Sequence, residues 1–114
     1  MSVTEKDMKI LKKVCKYCRE IGDFIEGFEY HMFEDTLQIN RACIFTLEQI
    51  GESVKGLSDE FKKTYRHIPW QEMASMRNRI VHDYEGIYLD IVWETLTEDI
   101  PKLLYSLEKI LEDF

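Results

Sequence analysis

Apolar residues that return every three or four positions dictate what this chain can fold into. Leu11, Val14, Cys18, Ile21, Ile25 and Phe28 form one such series, and Phe33, Leu37, Cys43, Ile44, Leu47, Ile50 and Val54 form a second, interrupted only by the polar Asn40. At 3.6 residues per turn, each series runs down one side of an α-helix and must be covered by another element. The boundaries are equally legible. Thr4 followed by Asp7 is a capping-box-like start, and Gly27 and Gly56 close the two long stripes. Ser58 caps a short helix in "SDEFKKTY", Pro69 opens another that runs to a stop at Gly86, and a last helical stretch from Leu89 to Phe114 is interrupted by Pro101. The expected fold is all-α: an up-and-down bundle of four or five helices without strands, in a single domain over residues 1–114.

At 114 residues the chain has room for one core and not a second. No apolar run approaches the roughly 18 residues of a membrane span. The opening "MSVTEKDMKI" lacks the apolar segment of a signal peptide, and three cysteines cannot all pair within one chain. A cytoplasmic protein with no membrane partner is expected.

The net charge of −7 conceals a gradient. Residues 55–82 hold six Lys/Arg against three Asp/Glu, whereas residues 83–114 hold two against nine. The acidic total argues against non-specific binding to nucleic acid, where affinity comes from neutralising phosphates. The basic segment leaves room for a local anion site, and a solvated face of mixed charge explains it as well.

Within that segment, Trp70, Met73, Ala74, Arg77, Val81 and Tyr84 fall at helical spacing, which sets Arg77 in the middle of an apolar stripe. A guanidinium stays charged, so such a position calls for a carboxylate, an anionic ligand or a stem that snorkels to water. His82 lies five residues on, about 140° around an ideal helix, so the two do not share a face; Asn78, four before His82, does. Arg77 and His82 meet if the helix loosens before Gly86 or if a second copy supplies the missing half. Self-complementary apolar packing favours the second, a homodimer with two arginines and two histidines in one shared pocket.

The stretch "IPWQEMASMRNRIVHDYEGIYLDIVW", together with the upstream "ACIFTLEQIGESVKGLS", resembles the HepT-like toxins of the HEPN superfamily, and the resemblance covers nearly the whole chain. These are all-helical RNases with an R-x4-H-x-Y motif. The resemblance implies a homodimer with the site at its interface, metal-independent RNA cleavage without a cofactor, and a toxin–antitoxin pair of type II-like or type VII-like organisation. It also implies a minimal nucleotidyltransferase antitoxin as partner, which attaches AMP to the motif tyrosine. By position the motif assigns catalysis to Arg77 and His82, a supporting role to Asn78 and the modification to Tyr84.

The chemistry is coherent in its own right. Cutting RNA without a metal needs a base for the 2′-hydroxyl proton, an acid for the leaving oxygen and positive charge on the phosphorane-like transition state. Histidine titrates near neutral pH and does proton work typically worth about 10²–10⁴-fold. Arginine offers a planar, permanent charge to phosphate oxygens. Asn78 either orients the imidazole, contacts phosphate or simply faces solvent. The alternative of a different class is a non-catalytic helical module that scaffolds a nucleotidyltransferase.

The remaining candidates carry less. "CKYC" has metal-like spacing but no second pair, so Cys15 and Cys18, like Cys43, read as core residues. His31 and His67 lack partners at ligand spacing, and Arg79 reads either as an exposed helix charge or as an RNA contact.

Overall fold

The computed structural model describes residues 4–82 and 86–114. Helix α1 (Glu5–Ile25) begins with a complete capping box: Thr4 Oγ1 accepts the Asp7 N–H at 3.0 Å, and the Thr4 N–H donates to Asp7 Oδ2 at 3.3 Å. It ends just before Gly27, whose φ of +79° takes the chain through a turn that other residues enter only with strain.

The second stripe is not one helix. It divides at Thr36 into α2 (Tyr30–Asp35) and α3 (Leu37–Val54). Asn40, the polar member, explains the division. Its buried side chain donates Nδ2–H to the carbonyls of Phe33 (3.2 Å), which also accepts the Thr36 N–H, and Glu34 (3.4 Å), bracing the last turn of α2. Leu37, by contrast, turns outward.

Helix α4 (Asp59–Thr64) starts as expected, with Ser58 Oγ accepting the Phe61 N–H at 3.2 Å. Pro69 precedes α5 (Trp70–Ala74), and a second short helix, α6 (Met76–Ile80), follows after Ser75. Here the expected helix to Gly86 stops early. Val81–His82 (β1) and Gly86–Ile87 (β2) form a two-residue antiparallel ladder, Val81 opposite Ile87 and His82 opposite Gly86, the one β feature among the described residues of an otherwise all-α fold.

The last stretch is continuous but not uniform: α7 (Leu89–Glu94), a π-helical turn (Thr95–Asp99) and α8 (Ile100–Glu112). Pro101 sits in the first turn of α8. It has no N–H for the carbonyl four residues back and its ring crowds that carbonyl, so the helix widens by a π turn ahead of the proline and continues.

Helix α1 packs on both α3 and α8, and α5 and α6 lean on α3. Leu11, Ile21, Leu47, Ile50, Ile80, Leu96 and Leu107 are among the residues buried between them. Each contributes roughly 1.5–3 kcal/mol in removing its side chain from water. Gly51 permits the α3–α5 approach, since a Cβ there would lie 2.8 Å from the Met73 carbonyl oxygen. Cys15, Cys18 and Cys43 are buried free thiols, and burial pushes Cys18 and Cys43 up to about 12. Protonated at neutral pH, they behave as small apolar side chains.

Candidate active site on helix α6

The phase of α6 decides where the motif side chains go. An unbroken helix from Trp70 would carry Arg77 on the buried stripe with Trp70 and Met73. Ser75, with φ −95° and ψ 9°, interrupts that helix. Met76 and Ile80 then take the inward positions, and Arg77, Asn78 and Arg79 are all exposed. The expectation of a buried arginine is therefore corrected. Two methionines and an isoleucine fill the core beneath α6, and the guanidinium stands in water with 67% of its side chain accessible.

The three polar residues fan across the solvent side of α6. Arg77 Nε lies 3.9 Å from Glu48 Oε2 on α3, while Arg79 reaches the other way, with Nη1 3.6 Å from Asp99 Oδ2 on the π turn. Both carboxylates are themselves partly exposed, so these are loose, solvent-screened pairs. The backbone N–H of Asn78 donates to the Ser75 carbonyl at 2.9 Å.

The structure also resolves how the chain passes from Arg77 to His82. The helix ends at Ile80, and His82 lies in extended backbone paired with Gly86, so the 140° separation of an ideal helix does not apply. The helix thus loosens before His82 within a single chain. Tyr84 lies outside the described residues.

Two features were not anticipated from sequence. Glu48 is the partner of Arg77, and no local pattern links residues 29 positions apart. Phe45 is 64% exposed and Leu37 60% exposed on the outer side of α3. The signal for Phe45 was present: an aromatic residue out of phase with Cys43, Ile44, Leu47 and Ile50. Among the described residues no group of three or more His, Cys, Asp or Glu is placed to hold a metal ion. No described helix is long and apolar enough to cross a membrane.

The described residues form a helical bundle, and the sequence carries the R-x4-H pattern of the HEPN class at Arg77 and His82. Within it the chain belongs to the family described as "Ribonuclease HepT-like", whose profile matches residues 14–110. It is 39% identical over 101 residues to the "Probable ribonuclease HepT" of Thermococcus cleftensis, covering 82% of this chain and 92% of that one. A "Putative RNase" of Methanocaldococcus jannaschii is 36% identical over 110 residues, 96% of this chain and 91% of its own length. Another "Putative RNase", from Caldanaerobacter subterraneus subsp. tengcongensis, is 33% identical over 102 residues, covering 90% and 91%. No solved structure gives a significant match.

Proposed function

We propose that this protein is a metal-independent RNA endonuclease, the toxin of a toxin–antitoxin pair, with Arg77 and His82 as catalytic residues. The observation that carries the reading is the exposed, only loosely paired guanidinium of Arg77 on α6, five residues ahead of His82 in the sequence, in a chain of a ribonuclease family. In the reaction the ribose 2′-oxygen loses its proton to a base and forms a bond to phosphorus. The P–O5′ bond breaks, and the departing 5′-oxygen takes a proton from an acid. Arg77 stabilises charge on the phosphoryl oxygens. His82 moves the protons.

One histidine per chain serves one of the two proton roles at a time, and a homodimer supplies the second. Exposed Phe45, one helical turn before Glu48 on α3, supports such an assembly by offering apolar area for a symmetric interface close to Arg77's partner. Asn78 lies on the same exposed surface as Arg77, where it contacts phosphate or substrate sugar. The partner is a minimal nucleotidyltransferase antitoxin that silences the enzyme by AMPylating Tyr84.

The test is RNA cleavage in EDTA-containing buffer by the intact chain and by Arg77→Ala and His82→Ala. Activity of the intact chain, lost by at least about a hundredfold in each variant with helicity unchanged, is expected. Full activity in either variant removes the mechanism. No cleavage by the intact chain favours the non-catalytic scaffold.

A further inference from the structure

The side of α6 opposite Glu48 opens into a cavity of about 620 Å³ between α5–α6 and the π turn and α8. Met73, Met76 and Leu103 are among its apolar lining, and Arg79 and Lys102 stand at its edge. A second, shallower depression of about 340 Å³ lies further along α8 and is lined by Tyr65, Tyr105 and Lys109 among others. His67 and Ser106 line both, so the two are one groove.

Its composition is unlike the surface around it. Residues 83–114 contain only two cations, Lys102 and Lys109, among nine carboxylates, yet both cations lie on this groove. Tyr105 is 64% exposed, with Lys109 Nζ 5.3 Å from its ring centre. Tyr65 and His67 form an edge-on ring pair with centroids 6.4 Å apart. The exposed rings of Tyr105 and His67, with half-buried Tyr65 behind His67, lie among cations along an open groove, which suits unpaired bases that stack on aromatic faces while their phosphates meet Lys and Arg. A duplex hides its bases and does not use such rings. Glu72, Asp99 and Asp113 also line the groove, so a strand held there depends on stacking as well as charge.

We propose that this groove is a track for single-stranded RNA, entering past Tyr105 and Lys109, running by His67 and Lys102 to Arg79, and crossing the exposed face of α6 to Arg77. Arg79 is two residues from Arg77, about 3 Å along the helix axis but about 160° around it, so a strand leaving the groove reaches the cleavage centre by crossing the exposed face of α6 over Asn78. The inference rests on the ribonuclease reading of the same site.

Binding of a fluorescein-labelled 12-nucleotide single-stranded RNA of mixed sequence, followed by anisotropy with the full chain carrying His82→Ala to keep the RNA intact, tests it. Adding Lys102→Ala, Tyr105→Ala and Lys109→Ala, all at exposed positions, is expected to weaken binding at least tenfold at low salt. It also flattens the slope of log K against log salt by about 1.4, roughly 0.7 for each lysine lost. The conservative set Lys102→Arg, Tyr105→Phe and Lys109→Arg keeps rings and charges and should bind as the parent does. Unchanged affinity in the alanine set overturns the track and leaves the groove to a protein partner. Equal competition by a duplex of the same sequence overturns its single-strand character. Should the wild-type chain bind through the groove yet cut no RNA, the track stands and the ribonuclease reading falls. Cleavage with groove-independent binding reverses that outcome.

Discussion

Arg77 Nε lies 3.9 Å from Glu48 Oε2, so the guanidinium proposed to meet the scissile phosphate is loosely held by a carboxylate from another helix. An exposed pair of this length contributes between about 0 and 1 kcal/mol, and a phosphate competes for the same charge. Glu48→Gln should therefore change folding stability by less than about 0.5 kcal/mol while tightening RNA binding two- to fivefold, the range corresponding to about 0.5–1 kcal/mol. Anisotropy with the uncut RNA reads this directly. Weaker binding in Glu48→Gln would make Glu48 a residue that aims Arg77 rather than one that competes for it.

This pair also marks where sequence stops being informative. Stripes, caps and stops gave α1, α4 and the end of α3 almost to the residue, because those signals are local. Arg77 was misplaced because periodicity assumes an uninterrupted helix, and a single non-helical residue at Ser75 rotates everything after it. Nothing distinguishes that serine from one on a helix surface. The division at Thr36 has the same character: Asn40 was recognised as an exception to its stripe, but its partners, the carbonyls of Phe33 and Glu34, exist only once α2 has folded back. The motif residues themselves were legible as chemistry, while the groove on the far side of α6 joins residues from 65 to 113 and has no signature along the chain.

Phe45 provides the test of assembly. A phenylalanine 64% exposed costs solubility in a monomer and contributes apolar area in a dimer. Phe45→Glu should leave the helical content of the chain intact, shift it toward monomer in sedimentation, and lower RNA cleavage by tenfold or more. A monomeric Phe45→Glu protein with undiminished cleavage would separate catalysis from dimerisation.

Asp7 joins two distant helix starts. Besides completing the α1 capping box, its Oδ1 accepts the Ser58 N–H and its Oδ2 the Ser58 hydroxyl, both at 2.8 Å, across 51 residues. Burial pushes its carboxyl up, but the donors from Ser58 and Thr4 outweigh that and hold it below its ordinary value of 3.8. A carboxyl depressed in the folded state stabilises the protein above its unfolded value and loses that contribution as pH falls through the folded one. Asp7→Asn is thus expected to destabilise by about 1–3 kcal/mol at neutral pH, and by progressively less below pH 3.8. Melting curves across that range decide it; a penalty independent of pH would show that shape rather than charge matters.

Gly51 tests the contact that seats α5 and hence α6. In most helices Gly→Ala stabilises by up to about 1 kcal/mol. Here the new methyl meets the Met73 carbonyl oxygen at 2.8 Å, backbone that has no rotamer to give way. Gly51→Ala should instead lose roughly 1–3 kcal/mol and, by displacing α5, depress RNA cleavage as well. A variant as stable as the parent would mean that α5 slides freely on α3.

Tyr84 tests the proposed silencing by the nucleotidyltransferase. It follows His82 by two positions and Arg77 by seven, so anything attached to its hydroxyl lies close along the chain to both proposed catalytic groups. AMP attached there adds bulk and a phosphate whose negative charge is attracted to Arg77 and repels an incoming RNA backbone. The hydroxyl has no part in the cleavage step as proposed, so Tyr84→Phe should retain RNase activity within about twofold, removing only the acceptor oxygen. Co-expressed with the nucleotidyltransferase, the unaltered chain should be inactive and carry AMP-sized mass increments on the Tyr84 peptide, whereas Tyr84→Phe should carry none and continue to arrest growth. Complete inhibition of Tyr84→Phe by the partner would show that binding alone, without covalent modification, is enough to close the site.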